Sequence, residues 1–278
     1  MKKIHKENHN LSEYFYKAIF VKPIVKYFRN RKEYPYFWTM AHDPICREIL
    51  ANGFYEKELL GAMVKLVKKN GTVLDIGANI GNHAIYFSKY FHHVIAFEPF
   101  ERNCWILKAN IKLNSIENIE LVEKGLGKEK AFLEFSNLNQ YETNKTLKPS
   151  TNRLKDRLIE VVPGDDALLK FKNIKDIAII KIDVEGFERD VIIGLSKTIS
   201  TYKPIIFWED FEINKANDTR KILKGLGYAH FYHISKNKYK SKILNRFSRF
   251  FGNNVYIENM EMATKLDGMN VGSIEKLI

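Results

Sequence analysis

Short apolar segments alternate with amphipathic segments through the first half of the chain. Thr72–Ile76, residues 94–97 and Ile119–Val122 are rich in β-branched and aliphatic residues, which predicts three strands. Residues 82–90 and 103–113, which separate them, have apolar positions at helical spacing and are predicted to be helices. Strands separated by helices in this way indicate a parallel sheet with helices on both faces.

The alternation continues in the second half of the chain but ends differently. Ile177–Ile182 is an almost continuous apolar run, which is typical of a strand buried on both faces of a sheet. A helix is predicted at residues 187–200, and further strands at Ala131–Phe135 and at residues 158–162, 204–208, 228–234 and 254–257. No convincing helix separates the last two strands, so we expect an antiparallel pair that closes a mostly parallel sheet.

The N-terminal part has a different composition. Residues 1–53 are predicted to form a basic, helical extension, and residues 54–278 the main domain, which begins with a helix at residues 54–69. Within the extension, apolar residues recur at helical spacing until Pro23 interrupts the pattern. This helix can pack on the domain or lie on a membrane surface. Packing within the molecule is the commoner arrangement, and we favour it.

The formal net charge of +12 indicates an anionic partner without identifying it. The partner can be nucleic acid, a membrane surface or an acidic glycan. A Lys-rich surface can also serve solubility alone. The two cysteines, Cys46 and Cys104, have no metal-ligand spacing, which argues against a zinc site or a disulfide framework. Since no apolar run reaches membrane-spanning length, we expect a cytoplasmic protein, attached at most to the inner face of a membrane.

A glycine-containing loop follows the first predicted strand. Its sequence, Asp75-Ile76-Gly77-Ala78-Asn79-Ile80-Gly81-Asn82, has Gly77 where the chain must turn and Gly81 where the next helix must approach the sheet. A dinucleotide site has the spacing GxGxxG, with glycine against the pyrophosphate. The spacing here is Gly-x-x-x-Gly, which favours S-adenosylmethionine (SAM), a ligand without phosphate, over NAD. We predict that SAM binds to Asp75, Gly77, Asn79, Gly81 and Asn82, with Asp75 accepting from its ammonium group or from a water.

Two further carboxylates complete the predicted cofactor site. Glu98 ends the second predicted strand and is expected to hold the ribose hydroxyls. Asp165 lies between a strand and a helix in Pro163-Gly164-Asp165-Asp166, where it can accept from the adenine amino group or cap the helix. Both alternatives for Asp165 stay open.

Three segments together resemble the FkbM family of SAM-dependent methyltransferases. They are the glycine loop, Phe97-Glu98-Pro99 with Asn103, and Lys181-Ile-Asp-Val-Glu-Gly-Phe-Glu-Arg-Asp190, and residues 43–56 resemble the usual lead-in to that domain. The resemblance covers roughly residues 40–260 and depends most on the Lys181 segment. It implies a Rossmann-like class I methyltransferase fold, with a mostly parallel seven-stranded sheet, and mainly O-methylation of sugars, polyketides or related metabolites. One departure is Gly164-Asp165, where the family commonly has Leu-Asp, and this weakens the adenine assignment of Asp165.

Lys181, Asp183 and Glu185 lie at the end of the most apolar strand and are the candidates for the reaction centre. Methyl transfer from a sulfonium is an in-line displacement, so the enzyme must align a hydroxyl oxygen and accept its proton. Alternation along the strand places Lys181 and Asp183 on the same side, where Lys181 can keep Asp183 ionised. Asp183 is the first candidate, as base or as orienter of the hydroxyl, and Glu185 is the second. The alternative is a buried ion pair with a structural role alone.

Three other residues are candidates for contact with the substrate. Glu209 and Asp210 end the following strand and can contact the substrate or, with Asp183, hold a divalent metal. No metal is expected as a cofactor. His83, just past the glycine loop, is the best-placed alternative base.

The leading functional hypothesis is SAM-dependent O-methylation of a hydroxyl on a sugar, a glycan or a related metabolite. Basic segments at residues 136–157 and 235–253 are expected to line the acceptor pocket, which favours an anionic acceptor such as a phosphorylated or lipid-linked glycan. RNA methylation is the alternative. The chain lacks both an Asn/Asp-Pro-Pro-Tyr/Phe motif and a Pro-Cys nucleophile, so nucleic acid is not the expected acceptor. A non-catalytic, membrane-binding protein of the same fold is the third hypothesis, and the intact carboxylates argue against it.

Overall fold

A seven-stranded sheet lies at the centre of the protein. The computed structural model describes residues 35–39, 44–67, 71–135, 147–149, 158–172, 174–209, 213–235 and 259–264. Several predicted features lie outside these residues, namely the helix within the first 35 residues, the strand at 254–257, Asp210, and most of the basic segments at 136–157 and 235–253.

The chain alternates between strands and helices over most of this length. The strands are β1 (Thr72–Ile76), β2 (His93–Phe97), β3 (Ile119–Val122), β4 (Gly125–Gly127), β5 (Ala131–Phe135), β6 (Leu147–Pro149), β7 (Leu158–Pro163), β8 (Ile177–Ile182), β9 (Ile205–Glu209), β10 (His230–Ser235) and β11 (Asn259–Thr264). The helices are α1 (Pro44–Asn52), α2 (Lys57–Lys65), α3 (Asn82–Ser88), α4 (Glu101–Leu113), α5 (Gly164–Leu168), α6 (Glu188–Gly194), α7 (Ser196–Tyr202) and α8 (Ile213–Gly225).

The order of strands in the central sheet is β10-β11-β9-β8-β1-β2-β3. Strand β1 pairs in parallel with β2 on one side and with β8 on the other, and β11 is antiparallel to both β9 and β10. The chain therefore runs outward from β1 to β3 and later returns to the other side of β1. This reversal of strand order places a ligand crevice beyond the carboxyl ends of β1 and β8. The predicted parallel sheet with an antiparallel pair at its end is confirmed.

Each face of the sheet is covered by its own apolar layer. Val73 and Ile179 pack with α2 and α3 on one face, while Leu74 and Ile180 pack with α6, α7 and α8 on the other. All four side chains are completely buried. Burial on both faces is the reason for the almost unbroken apolar run in β8. Lys181 is the exception in that strand, and it lies on the first face near the crevice.

A smaller sheet, in the order β4-β7-β5-β6, lies beside the crevice. Its apolar residues Leu133, Ile159 and Val161 pack with Phe100, which follows β2, and with Phe187, which follows β8. Strand β4 was not predicted, because its three residues, Gly-Leu-Gly, have no alternating pattern. Within the described part of the chain, no helix is long and apolar enough to cross a membrane.

Four helices differ from the sequence prediction. The helix expected at residues 187–200 is two helices, α6 and α7, and α1 and α8 were not predicted. The two helices are divided at Leu195, whose φ of −108° and ψ of 13° are not helical. Gly194, just before it, is packed against β4, since a Cβ atom there would lie 1.9 Å from the carbonyl oxygen of Gly127. Helix α8 is mostly polar, with the fully buried Leu223 near its end, and such a sparse apolar stripe is a weak signal. The described strand that pairs with β10 is β11.

Candidate active site

The glycine loop between β1 and α3 is shaped by two close approaches. The N–H of Gly77 donates to the carbonyl of Phe97 at 2.9 Å, and a Cβ on Gly77 would lie 1.8 Å from the carbonyl oxygen of Asp183. A Cβ on Gly81 would lie 2.0 Å from Cδ1 of Leu107 in α4. Both glycines have positive φ, +83° and +90°, which side chains disfavour. The loop is therefore held tightly between the ends of β2 and β8 and the side of α4.

Glu98, at the end of β2, is bonded to this loop. Its Oε2 accepts from the backbone N–H of Asn79 at 2.8 Å, and its Oε1 accepts from the N–H of Phe100 at 3.0 Å and from Nδ2 of Asn103 at 3.2 Å. Only 3% of Glu98 is exposed. The structure thus brings the two predicted parts of the cofactor site together, and contact between Glu98 and ribose stays a prediction.

Asp75 supplies a buried acceptor at the end of β1. The residue is completely buried, and within the described part of the chain neither carboxylate oxygen accepts a hydrogen bond. Nζ of Lys181 lies 3.8 Å from Oδ1. A buried carboxylate without hydrogen bonds is costly, so this position suits a ligand that brings its own donors. The ammonium group of SAM is such a donor, and the residues present therefore fit the predicted cofactor.

Lys181 and Asp183 form an ion pair at the end of β8, beside β1, where the strand order of the sheet reverses. Asp75 and Lys181 are neighbours in the register of β1 and β8, and Nζ of Lys181 lies 2.9 Å from Oδ2 of Asp183. Burial lowers the pKa of Lys181, but the carboxylates of Asp183 and Asp75 outweigh it and hold this pKa above its ordinary value. Burial raises the pKa of Asp183, but Lys181 and a hydrogen bond with Glu209 outweigh it and hold this pKa below its ordinary value. The pair is therefore ionised at neutral pH.

Glu209 and His83 approach Asp183 from two other elements. Glu209 ends β9 and is 4% exposed, and its side chain is hydrogen-bonded to Asp183. His83 lies in the first turn of α3, with Nε2 3.3 Å from Oε2 of Glu56. Within the described ranges, no group of three or more His, Cys, Asp or Glu side chains could hold a metal ion. Asp210, the remaining candidate for such a set, lies outside them.

The turn after β8 contains Glu185 and is held by a residue that the sequence did not indicate. Glu185 is exposed and has a φ of +55°. The turn is closed by Glu188, whose Oε1 accepts from the N–H of Gly186 at 3.0 Å. Burial raises the pKa of Glu188. The repeated Glu residues of the Lys181 segment thus divide into an exposed one and a buried one that stabilises the backbone.

Two predicted cofactor contacts are occupied by structural hydrogen bonds. Asn82 accepts from the N–H of Tyr55 at 3.0 Å and donates to its carbonyl at 2.9 Å. Asp165 accepts from the N–H and the hydroxyl of Thr198 at 2.9 and 2.6 Å, and from the N–H of Lys197 at 3.0 Å. Asp165 therefore caps the start of α7. The sequence had offered capping of its own helix, α5, as one alternative. A contact with adenine would compete with these three bonds, and it stays a prediction.

Taken together, the strand order, the glycine loop at the switch point and the carboxylates beyond β1 and β2 define a Rossmann-like, SAM-dependent methyltransferase domain. The chain belongs to the FkbM methyltransferase family, because the family model of the methyltransferase FkbM domain matches residues 75–229, more than half of its length. This confirms the resemblance seen in the sequence.

Individual relatives are more distant. Methyltransferase 1 of Beauveria bassiana (strain ARSEF 2860) is 28% identical over an alignment of 143 residues, and the match covers 44% of this chain and 57% of that protein. The chain thus spans little more than half the length of this relative. Among solved structures, methyltransferase FkbM from Methylobacillus flagellatus KT is 15% identical, with a TM-score of 0.48 over 90% of this chain and 60% of that one. A putative methyltransferase from Streptococcus mutans in complex with SAH is 10% identical, with a TM-score of 0.42 over 74% and 95%.

Proposed function

We propose that the protein transfers a methyl group from SAM to a hydroxyl of a sugar, a glycan or a related metabolite. The observation that carries this proposal is the Lys181–Asp183 ion pair. It lies where the strand order reverses, next to the buried carboxylate of Asp75. An ionised carboxylate there can receive the hydroxyl of an acceptor beside the donor. The sequence also contains no Asn/Asp-Pro-Pro-Tyr/Phe motif, which RNA-modifying enzymes of that type use to clamp an exocyclic amine.

In this proposal the donor lies over the glycine loop. Asp75 accepts from its ammonium group, Glu98 from its ribose hydroxyls, and Gly77 and Gly81 let the backbone approach closely. When bound there, SAM supplies an electrophilic methyl group on a sulfonium. A contact of Asp165 with adenine requires that it share an oxygen already used in capping α7.

Asp183 accepts a hydrogen bond from the acceptor and thereby aligns its reacting hydroxyl with the methyl carbon. Lys181 fixes the carboxylate and is itself 1% exposed, so neither group needs to reorganise when the acceptor binds. Positioning of this kind can lower a barrier by up to about 7–11 kcal/mol. Since its pKa lies below the ordinary value, Asp183 is a weak base and is better suited to orient the hydroxyl than to take its proton.

The net charge of +12 supports an anionic acceptor, such as a phosphorylated or lipid-linked glycan. A glycan of the second kind brings the enzyme to the inner face of a membrane, and the proposal includes this peripheral position. The same positive charge also favours RNA as the acceptor. If the experiment below finds the methyl label on RNA, RNA replaces the glycan as the proposed acceptor.

The experiment uses methyl-labelled SAM, cell extract and the full-length chain, followed by mass spectrometry of the labelled product. We expect an O-methyl group on a glycan or related hydroxyl, and label on RNA contradicts that acceptor. Asp183→Asn should abolish turnover while largely sparing SAM affinity. Asp176→Asn is the matched control, because Asp176 is exposed at the opposite end of β8 and should leave turnover unchanged. Undiminished turnover in Asp183→Asn moves the reaction centre elsewhere.

A further inference from the structure

A second ionisable pair lies near enough to Lys181 and Asp183 to act on them electrostatically. Glu56 precedes α2 and is 3% exposed, and His83, in the first turn of α3, is 7% exposed. Nε2 of His83 is 3.3 Å from Oε2 of Glu56. Burial of a carboxylate against an imidazole holds a positive charge on the ring well, because opposite charges attract strongly away from water.

The backbone around Glu56 is held in an unusual conformation. Glu56 has a φ of +55°, in the left-handed region that residues other than glycine rarely adopt, and such residues cluster at functional sites. Asn82 binds both backbone groups of Tyr55, and the N–H of Glu56 donates to Oε1 of Glu48 at 2.9 Å. The ring of Tyr55 lies over the imidazole, with centroids 6.3 Å apart and an angle of 31° between the rings. The carboxylate of Glu56 is therefore aimed at His83 by contacts from several sides.

The two pairs also influence each other. Among the smaller contributions, the carboxylate of Glu56 raises the pKa of Lys181, and His83 lowers the pKa of Asp183. The ionisable groups that act on His83 are Tyr55, Glu56 and Asp183, and these three are in turn contacted or influenced by Glu48, Lys181 and Glu209. The carboxylates of Glu56 and Asp183 both favour a positive charge on the ring, so a proton that arrives at His83 is stabilised by its surroundings.

Given the methyl transfer proposed above, on which this inference rests, we infer that His83 takes the proton of the acceptor hydroxyl and that Glu56 positions His83. The hydroxyl oxygen forms a bond to the methyl carbon as the sulfur–carbon bond breaks, and the electron pair of that bond stays on sulfur. The hydroxyl proton moves to an imidazole nitrogen, and the imidazolium is balanced by Glu56. Histidine suits this step because it titrates near neutral pH, whereas the pKa of Asp183 is held low.

The first test measures the titration of His83 by NMR in the full-length chain, with its eight histidines labelled at Cε1 and His83 assigned from His83→Asn. We expect His83 to titrate between about pH 5 and 8. Glu56→Gln should lower its midpoint, because the opposite charge is lost, and Glu56→Asp should largely restore it. Glu120→Gln is the matched control. Glu120 pairs with His93 at 2.9 Å at the start of β2, so this change removes a carboxylate from another histidine and should leave the midpoint of His83 unchanged.

The second test uses the extract component that the wild-type enzyme labels. His83→Asn should slow transfer by about 10²–10⁴-fold with SAM affinity retained. Glu56→Gln should displace the rising limb of the pH–rate profile to lower pH. His93→Asn is the control and should change neither the rate of transfer nor the pH–rate profile. A wild-type rate and profile for His83→Asn overturns the inference, as does a His83 midpoint insensitive to Glu56→Gln. If the wild-type enzyme labels nothing, the proposed function fails, and the NMR titration still decides whether Glu56 and His83 form a proton-holding pair.

Discussion

At the scale of single residues, Lys181 has the greatest influence on the site. It is a lysine within a buried strand, 1% exposed, between the carboxylates of Asp75 and Asp183. Burial of a lysine is unfavourable unless it is paired, and here the pairing also keeps both carboxylates ionised where the donor and the acceptor are expected to meet. The same residue therefore contributes to stability and to the proposed chemistry.

Replacement of this residue should be strongly destabilising. We expect Lys181→Met to lower the free energy of unfolding by about 3–5 kcal/mol at neutral pH, measured by urea denaturation, because the buried carboxylate of Asp75 and the partly buried carboxylate of Asp183 lose their cation. Lys221→Met is the control, since Lys221 is 77% exposed in its pair with Asp218 and should contribute at most about 1 kcal/mol. Equal losses in the two variants contradict the importance of the buried pair.

The pH dependence of the stability difference between the wild-type protein and Lys181→Met follows from the pKa values of Asp183 and Lys181. The pKa of Asp183 lies below 3.8, so its contribution is present above that value and is lost as the pH falls further. The pKa of Lys181 lies above 10.5, so its contribution is present below that value and is lost at higher pH. The wild-type protein should therefore exceed Lys181→Met in stability across this whole window and lose the advantage beyond either end.

At the scale of elements, the loop after β1 and the turn after β8 need glycine for different reasons. Gly77 has no room for a Cβ, whereas a Cβ on Gly186 would meet nothing within 4 Å, although its φ is +101°. Gly186→Ala should therefore cost about 1–3 kcal/mol from backbone strain alone. Gly77→Ala should cost more and should also weaken SAM binding, because the carbonyl of Asp183 must move. Urea denaturation and calorimetry of both variants measure this, and an equal cost for the two argues against the close packing of β1 on β8.

Elements were predicted well where one physical effect dominates. The bounds of β1, β3, β5 and β8 agree with the prediction, because a strand that buries one or both of its faces needs apolar, β-branched residues on them and little else. Elements defined by their neighbours were missed. Strand β4 exists because it pairs with β7 and packs on α6 at Gly194, and neither contact leaves a pattern in its own three residues.

The site shows the same division. Lys181, Asp183, Asp75 and Glu98 were predicted because strand ends in this architecture converge. The pairing of Glu56 with His83 was not, since it depends on a left-handed backbone and on a loop that only the fold brings near α3. The one signal was local: Glu56 ends the segment that resembles the lead-in of the family. Asp165 illustrates the reverse error, because a carboxylate in a suggestive position caps a helix from another part of the chain.

At the scale of the whole molecule, the strand order determines what this sequence can do. The reversal beside β1 brings residues from three separate strands to one crevice, and the smaller sheet borders it through Phe100 and Phe187. The excess of positive charge acts over longer distances and bears on the choice of acceptor rather than on the donor site. Donor and acceptor recognition are therefore separable, and the donor can be tested without knowledge of the acceptor.

The central claim is that the crevice beyond β1 and β2 is a SAM site, and calorimetric titration of the full-length chain tests it directly. We expect one SAM to bind per chain, no binding of NAD, and a loss of roughly tenfold or more in SAM affinity for Glu98→Ala, as expected when a hydrogen bond to a charged group is removed. Unchanged SAM affinity in Glu98→Ala, or binding of NAD as tight as that of SAM, contradicts the account.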